Sequence, residues 1–252
     1  MFFTYLYYPT VVGLRSAPET SILIPTAHDE PAIRLKVFDD VFQCPQHLIF
    51  LTDEERDLVH SVFDNSKIPN QTLGMGVTLR RPSNEHEGYL FYAGRIESGK
   101  NCGMMFDYCR RAGMPLKVSG PTQIQIPDHV EYLGQVSELE KEALLERCRA
   151  VIVPSAMESL SIAALEAWAH GKPVIAWDRS RVLAGQIGRS GGGYVFGNFD
   201  EFLNVTRSID PQRGLCGWEY VKQNYSWDEV LPRYEEVFES VAHEALRTVK
   251  PD

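Results

Sequence analysis

One stretch of the chain, residues 150–178, has a pattern that few folds accommodate. A buried strand at Val151–Val153 is followed by a short loop, a run with helical periodicity and a second buried strand at Pro173–Trp177. Continuous apolar runs are typical of strands that are covered on both faces, as in parallel sheets. Neighbouring parallel strands need a crossover connection, and here the helix supplies it. The stretch therefore predicts a β-α-β unit.

The helix of this unit is accompanied by two glutamates, Glu158 and Glu166. Ser159 or Ser161 is placed to cap the helix, and the amides of its first turn then have no intrahelical partner. Such amides and the helix dipole favour an anion. If both acids lie on the helix, they are roughly 12 Å apart along its axis, which suits a ligand with a diphosphate between two hydroxyl-bearing ends. The alternative is one capping acid and one solvated acid.

Composition limits the kinds of partner that the chain can have. Its 252 residues are 44% hydrophobic and 23% charged, enough for one large or two modest α/β domains. The net charge of -9 argues against nucleic acid or an anionic membrane as the main partner. The cysteines lack a Cys-x-x-Cys spacing, so neither a disulfide framework nor a zinc site is indicated.

The apolar tract at the N-terminus is too short to span a bilayer, and it lacks the basic leader of a signal peptide. The cysteines, odd in number and without paired spacing, suit a reducing compartment, so we expect a cytoplasmic protein, with peripheral attachment to a membrane as the alternative.

Strand and helix patterns alternate along the chain, which predicts parallel sheets. Residues 1–76 supply only three strand patterns and no glycine-rich first turn, so we expect a partial Rossmann-like domain there. Residues 77–88 are polar and are interpreted as an interdomain linker. Residues 89–228 start afresh with a buried strand and predict a complete Rossmann-like domain. Residues 229–252 are predicted to form a closing helix.

The elements predicted in the first part follow from local pattern. They are a strand-like run at Phe2–Tyr7, a strand at Ser21–Thr26, a helix at 32–42, a strand at His47–Leu51 and a helix capped by Thr52 with Glu55 that ends near Phe63. An exposed edge at Met1–Tyr7 would favour self-association or pairing with a partner chain.

Two cations follow the first strand of the second part. Arg95 and Lys100 belong to the loop that begins at Gly94, and open parallel sheets bind ligands at the carboxyl ends of their strands. The alternative is a pair of solvated loop cations. The glycine tract 191–193 lacks the third glycine and the strand-before-helix context of a dinucleotide loop, so it is interpreted as a turn into a strand.

In the first part, His28 is singled out because it ends a buried strand, although a lone histidine is often only structural. The acids Asp39 and Asp40 lack a third ligand and lie in a helical pattern, so they are interpreted as a solvated face rather than a metal site.

The β-α-β stretch resembles the donor-sugar motif of family 4 glycosyltransferases, which are retaining enzymes of the GT-B fold. The resemblance covers Pro154-Ser155, Glu158, then Glu166-Ala-Trp-Ala, and Gly171-Lys-Pro-Val-Ile-Ala. The family loop usually reads Glu-Gly-Phe-Gly, whereas this chain has Glu-Ser-Leu-Ser at residues 158–161.

Two further tracts carry the same resemblance. The tract Gly94-Arg95-Ile96 with Lys100 is similar to the family's Gly-Arg-Leu followed by lysine, with Asn101 where the family has glycine. Tyr225-Ser226-Trp227 resembles the tract before the family's last helix, which crosses back to the first domain.

The resemblance implies an α/β chain of the GT-B type, with a complete C-terminal Rossmann-like domain preceded by a partial N-terminal one. It implies transfer of a sugar from a nucleotide-diphosphate sugar to an acceptor, with retention of configuration and without a metal or another cofactor. The acceptor is left open as a saccharide, a lipid or a small molecule.

The resemblance also assigns roles to residues. Arg95 and Lys100 hold the diphosphate, Glu158 and His28 approach the transferred sugar, and Glu166 accepts from the ribose hydroxyls. The expected catalytic residues are Arg95, Lys100, Glu158 and His28. The expected donor-binding residues are Gly94, Arg95, Lys100, Val136, Glu158, Leu160, Ser161, Ile162 and Glu166, with Val136 in the loop next to the base.

Two alternatives to a transferase stay open. One is a catalytically incomplete module that binds nucleotide sugars, or one half of a split glycosyltransferase, because the first domain lacks its front half. The other is a sugar-nucleotide epimerase. Such an enzyme needs acid/base groups from both domains, and His28 is the single candidate that the sequence supplies.

Overall fold

The computed structural model describes residues 1–248 and contains two compact units. Unit 1 comprises Met1–Gly76, Glu158–Leu160 and the C-terminal segment from Trp227, and unit 2 comprises Val77–Met157 and Ser161–Ser226. Among residues 1–248, none of the helices combines the length and the apolar character that a membrane span requires. The part of the predicted closing helix beyond residue 248 lies outside the described residues.

The described strands are β1 (Phe2–Phe3), β2 (Ile22–Ile24), β3 (His47–Phe50), β4 (Asn70–Thr72), β5 (Leu90–Ala93), β6 (Leu116–Ser119), β7 (Val130–Tyr132), β8 (Ala150–Val153), β9 (Val174–Trp177) and β10 (Gly193–Phe196). The described α-helices are α1 (Tyr8–Gly13), α2 (Asp39–Gln43), α3 (Asp53–Phe63), α4 (Cys102–Ala112), α5 (Glu138–Arg147), α6 (Ile162–Ala169), α7 (Arg181–Ser190), α8 (Phe199–Arg207), α9 (Pro211–Asn224) and α10 (Trp227–Thr248).

The sheet of unit 1 is parallel, with the order β1-β2-β3-β4. Strands β2 and β3 are fully buried, as their continuous apolar sequences predict. They pack on a cluster that includes Tyr5, Phe38, Phe42 and Phe63. Strand β1 lies at one edge of the sheet, and its Phe3 side chain is exposed.

Unit 1 differs from the sequence predictions in three elements. The strand-like run predicted at Phe2–Tyr7 is a strand over Phe2–Phe3. The helix predicted at 32–42 is wrong: two short 3₁₀ turns precede α2, and the extended backbone of Leu35 separates them. Leu35 and Val37 are exposed, so no continuous apolar face drives a helix. The fourth strand, β4, was missed because its sequence Asn-Gln-Thr is polar.

The sheet of unit 2 is parallel, with the order β10-β9-β8-β5-β6-β7. Counted along the chain, the strands of this unit follow the doubly wound order 3-2-1-4-5-6. The order reverses between β5 and β8. In open sheets of this kind a ligand binds outside the carboxyl ends of the strands at that reversal. The topology therefore predicts a ligand site at the loops after β5 and β8.

A fully buried tryptophan fixes the helix layer next to β10. The indole Nε1 of Trp168 donates to the carbonyl of Gly192 at 2.6 Å. A Cβ on Gly192 would lie 2.4 Å from that indole nitrogen, and one on Gly217 would lie 2.1 Å from indole Cδ1. The glycine tract therefore leads into β10, as predicted, and its glycines allow close packing.

We expect Gly217→Ala to lower the free energy of unfolding by about 1–3 kcal/mol, because the new methyl group overlaps the Trp168 ring. The matched control is Gly188→Ala on α7, where an added Cβ meets nothing within 4 Å. Better helix propensity should leave that control neutral or more stable by up to about 1 kcal/mol. Urea unfolding followed by circular dichroism measures both, and equal effects of the two variants would contradict the packing argument.

Candidate functional site

Glycines follow three neighbouring strands at the carboxyl edge of the unit 2 sheet. Gly94, Gly120 and Gly134 come shortly after β5, β6 and β7. The Gly94 N–H donates to the Ser119 carbonyl at 3.0 Å, and the Gly120 N–H donates to the Gly134 carbonyl at 2.9 Å. Gly120 has φ +134, and a Cβ there would lie 2.0 Å from the Gly94 carbonyl oxygen. Glycine is required where these strand ends approach so closely.

Lys100 joins the loop after β5 to the loop after β8. It ends a 3₁₀ turn at Ser98–Lys100, and its Nζ donates to Ser155 Oγ at 3.2 Å. Ser155 is buried and follows β8 directly after Pro154. A cation from the first strand of the unit therefore reaches the loop that leads to α6, at the reversal of the strand order.

Arg95 lies in the same loop as Lys100, and its side chain pairs with an acid of that loop. Its guanidinium is 64% exposed and lies 3.3 Å from Glu97 Oε1. The Tyr92 hydroxyl donates to the Arg95 carbonyl at 2.7 Å and holds the backbone of the loop. Arg95 is thus at the predicted strand end with a solvated head group, and its role with a diphosphate stays a prediction.

Asn101 stands where the resembling motif has glycine, and this position requires a left-handed backbone. Its φ of 58° and ψ of 28° are left-handed, and it immediately precedes α4. Glycine adopts this conformation freely, and asparagine is among the few other residues that tolerate it. The substitution therefore keeps the backbone path between Lys100 and α4.

We expect Asn101→Gly to change the free energy of unfolding by no more than about 1 kcal/mol, since both residues accept a positive φ. Asn101→Val should destabilise by about 1–2 kcal/mol or more, because a β-branched side chain clashes in the left-handed region. Chemical denaturation of both variants provides the measurement. A valine variant as stable as the glycine variant would rule out this explanation.

Helix α6 begins where the capping pattern allowed. Ser161, one of the two predicted caps, accepts from the Ala164 N–H at 3.3 Å through its Oγ. The first-turn amides of Ile162 and Ala163 have no acceptor within the helix. Ile162 is 38% exposed, so this end of the helix reaches the surface of unit 2.

Two of the predicted donor-binding residues fall in unit 1. Glu158 is half-buried and Leu160 is buried. Between them, the Ser159 carbonyl accepts from Thr52 Oγ1 at 2.9 Å. Because α6 begins at Ile162, Glu158 is in the loop, and the helical spacing of roughly 12 Å does not apply to it.

Glu166 is held by a lysine that sequence analysis missed. Lys141 on α5 donates from Nζ to Glu166 Oε1 at 2.8 Å and lies 2.9 Å from Glu138 Oε2. Burial alone would lower the pKa of Lys141, but its hydrogen bonds to Glu166 and Glu138 outweigh that effect and raise it. The half-buried Val136 precedes α5 on the chain, so the predicted base-binding loop leads directly into the helix that contacts Glu166.

His28 lies in unit 1, four residues beyond β2. Its imidazole side chain is 28% exposed, and its Nδ1 is 3.7 Å from Glu30 Oε1. The Tyr5 hydroxyl donates to the same carboxylate oxygen at 2.8 Å. His28 therefore belongs to a small polar group at the carboxyl end of the unit 1 sheet.

Among residues 1–248, no group of three or more histidine, cysteine, aspartate or glutamate side chains is arranged to hold a metal ion. Asp40 is exposed and its Oδ2 accepts from Arg15 at 2.7 Å. This agrees with the interpretation of Asp39 and Asp40 as a solvated face.

Two parallel α/β units, one with the doubly wound order, define a GT-B type fold. At the strand reversal of unit 2, the loop after β5 supplies Lys100, and the loop after β8 leads to the N-terminus of α6, the helix that carries the ion-paired Glu166. Such groups can bind an anion and accept hydrogen bonds from hydroxyls.

Comparison with known proteins agrees with this fold. Residues 122–203 match the family model described as "Glycosyl transferases group 1". The matched segment includes Val136, Lys141, Ser155 and Glu166. No curated protein matches the chain by sequence.

Several solved structures share the fold at low sequence identity. The pneumococcal O-GlcNAc transferase GtfA, in complex with UDP and GlcNAc, is 15% identical with a TM-score of 0.71, over 92% of this chain and 55% of its own. Sucrose-phosphate synthase from Thermosynechococcus elongatus is 17% identical with a TM-score of 0.77, over 96% and 73%. HepE from Anabaena, in complex with UDP-glucose, is 15% identical with a TM-score of 0.75, over 92% and 76%. The chain spans about half the length of GtfA and of TarM from S. aureus.

Proposed function

We propose that the protein is a glycosyltransferase that moves a sugar from a nucleotide-diphosphate sugar to an acceptor, with retention of configuration and without a metal. The observation that carries the proposal is the contact between Lys100 and Ser155 at the strand reversal of unit 2. Here a cation and the loop before a helix N-terminus come together where doubly wound sheets bind nucleotides. The family match and the fold of the solved transferases support the same reading.

The proposed chemistry needs charge stabilisation more than proton transfer. As the glycosidic bond breaks, negative charge develops on the leaving phosphate. Lys100, Arg95 and the first-turn amides of α6 are proposed to stabilise that charge in place of a metal ion. Fixed donors of this kind lower the barrier because they need no reorganisation during the reaction.

The remaining roles concern the two ends of the donor. Glu166, oriented by Lys141, is proposed to accept from the ribose hydroxyls, and Val136 to lie beside the base. Glu158 and His28 are proposed to contact the transferred sugar. The acceptor is a saccharide, a lipid or a small molecule, and the proposed location is the cytoplasm.

A catalytically incomplete binding module, or one half of a split transferase, is the second candidate. Strand β1 lies at the edge of the unit 1 sheet, and Phe3, Tyr7 and Tyr8 are exposed. Such an edge can pair with a second copy or with a partner strand.

Titration of the purified chain with UDP-, GDP- and ADP-sugars by calorimetry tests the proposal, together with an assay for donor hydrolysis or transfer. Binding with turnover is the result expected of the transferase, and binding without turnover would favour the module. No binding of any of these donors would overturn both.

The site map has its own test in the same titration. Glu166→Ala should weaken donor binding about tenfold, because a hydrogen bond to a charged acceptor contributes about 1.5–3 kcal/mol. Glu131→Ala removes an equal charge from an exposed position on β7 and serves as the matched control. Unchanged affinity in Glu166→Ala would reject the role of Glu166.

A further inference from the structure

Unit 1 contains a buried carboxyl group that the proposed function does not use. Glu55, in the first turn of α3, is 1% exposed. Its Oε1 accepts from the Ala27 N–H at 2.5 Å and its Oε2 accepts from the Leu51 N–H at 2.6 Å. These two amides follow β2 and β3, so one side chain joins the carboxyl ends of two strands.

The same carboxyl group also takes part in the cap of α3, because it accepts from the backbone N–H of Thr52. Thr52 caps α3 through its Oγ1, which accepts from the Glu55 N–H at 3.2 Å. Burying an acid costs free energy that an apolar residue in the same place would not. Glu140 has the same capping role at α5 while exposed, so the burial of Glu55 is better explained by the Ala27 and Leu51 amides than by the cap alone.

The Ala27 amide directly follows a residue with a left-handed backbone conformation. Thr26 has φ +52, and Thr4, at the end of the neighbouring strand, has φ +68. The two hydroxyls are linked, with Thr26 Oγ1 donating to Thr4 Oγ1 at 2.9 Å. A left-handed conformation is costly for β-branched residues and persists only where the surroundings enforce it. Ala27 and then His28 follow immediately.

We infer that Glu55 is a positioning residue for His28, because its carboxyl group fixes the Ala27 amide and with it the strained turn that carries the imidazole. The role of His28 toward a sugar rests on the proposed function. The position of His28 does not, so the inference and the proposed function are tested by different measurements.

The surroundings of Glu55 affect its charge. Burial raises the pKa of Glu55 to about 8, although the amides of Leu51, Ala27 and Thr52 oppose the rise. From α10, Tyr234 faces it, and the nearby Glu55 contributes, after burial, to the raised pKa of the Tyr234 hydroxyl. On the far side of the turn, His28 and Tyr5 share the Glu30 carboxylate.

The direction of the pH effect follows from linkage. The folded state holds the proton of Glu55 more tightly than the unfolded state, whose carboxyl group titrates near 4.5. The contribution of Glu55 to stability is therefore fully present below about 4.5 and is lost as the pH rises through about 8.

The test is the imidazole signal of His28, followed by NMR over a pH titration of the full chain. In Glu55→Gln, one amide loses its acceptor oxygen, so the chemical shifts of the His28 ring should move. His60, on the same helix, is the internal control and should not move.

Asp57→Asn is the matched variant, because it removes a charge from an exposed position on the same helix. It should leave the His28 signal unchanged. An unchanged His28 signal in folded Glu55→Gln, or equal shifts of His28 and His60, would overturn the inference.

A second measurement uses the unaltered protein, in case Glu55→Gln does not fold. The Ala27 and Leu51 amide protons report the ionisation of Glu55 directly, and their inflection should lie near pH 8. The His28 ring signal should show an inflection at the same pH. A His28 ring signal without that inflection, while the Ala27 amide reports the ionisation of Glu55, would also overturn the inference.

Discussion

Under the proposed function, Lys100→Ala should slow sugar transfer about 10²–10³-fold, the usual loss when one fixed donor to a developing charge is removed. The reason is the placement of its ammonium at the strand reversal of unit 2, 3.2 Å from Ser155 Oγ. Charge on the leaving phosphate increases as the bond breaks, so the rate should fall more than the affinity for the donor. Steady-state rates and calorimetric affinities of the same variant separate the two effects.

Lys222→Ala is the control for this experiment. Lys222 is exposed on α9 of the same unit, and its ammonium lies over the Trp218 ring. The Lys222→Ala substitution removes the same positive charge from unit 2, and it should leave the transfer rate and the donor affinity unchanged. If Lys100→Ala transfers sugar as fast as Lys222→Ala does, Lys100 does not stabilise the leaving phosphate.

Lys172→Met should lower the free energy of unfolding by about 2–4 kcal/mol, since it removes two hydrogen bonds from a charged donor to backbone carbonyl groups. Lys172 is 2% exposed. Its Nζ donates to the carbonyl oxygens of Ser83 and Glu85, each at 2.8 Å. The lysine of the Gly-Lys-Pro tract therefore ties residues 83–85 to the body of unit 2. Urea denaturation followed by circular dichroism gives the change.

Lys222→Met is the matched variant for stability, because it replaces an exposed lysine with the same residue. It should change the free energy of unfolding by no more than about 0.5 kcal/mol. Burial lowers the pKa of Lys172, so the unfolded state binds this proton more tightly. The stability that depends on Lys172 should rise with pH below 10.5, and the rise should disappear in Lys172→Met. Equal unfolding energies of the two variants would contradict the structural role.

The sequence predicted those parts of the fold that local pattern controls. The continuous apolar runs gave the strands β2, β3, β5, β8 and β9, because strands covered on both faces have no polar alternation. Thr52 predicted the start of α3, and for α6 the sequence offered Ser159 or Ser161, of which Ser161 is the cap. These features are encoded within a few residues, and the structure confirms them.

The features that were missed depend on contacts between distant segments. Strand β4 is polar, and only its pairing with β3 makes it a strand. The contact of Lys141 with Glu166 joins residues that are 25 positions apart on two helices. Ser155 belonged to the recognised motif, yet nothing in its neighbourhood indicated that Lys100 would reach it. Spacing along one element does not reveal such pairs.

The ion pair of Glu166 has a consequence for any ligand that uses this carboxylate. Lys141 has two carboxylates within reach, Glu166 at 2.8 Å and Glu138 at 2.9 Å. A sugar hydroxyl that draws Glu166 away would still leave the ammonium with one counter-ion. The Glu166 carboxylate can therefore bind a ligand hydroxyl without leaving the Lys141 ammonium unpaired, which keeps the electrostatic cost of ligand binding small.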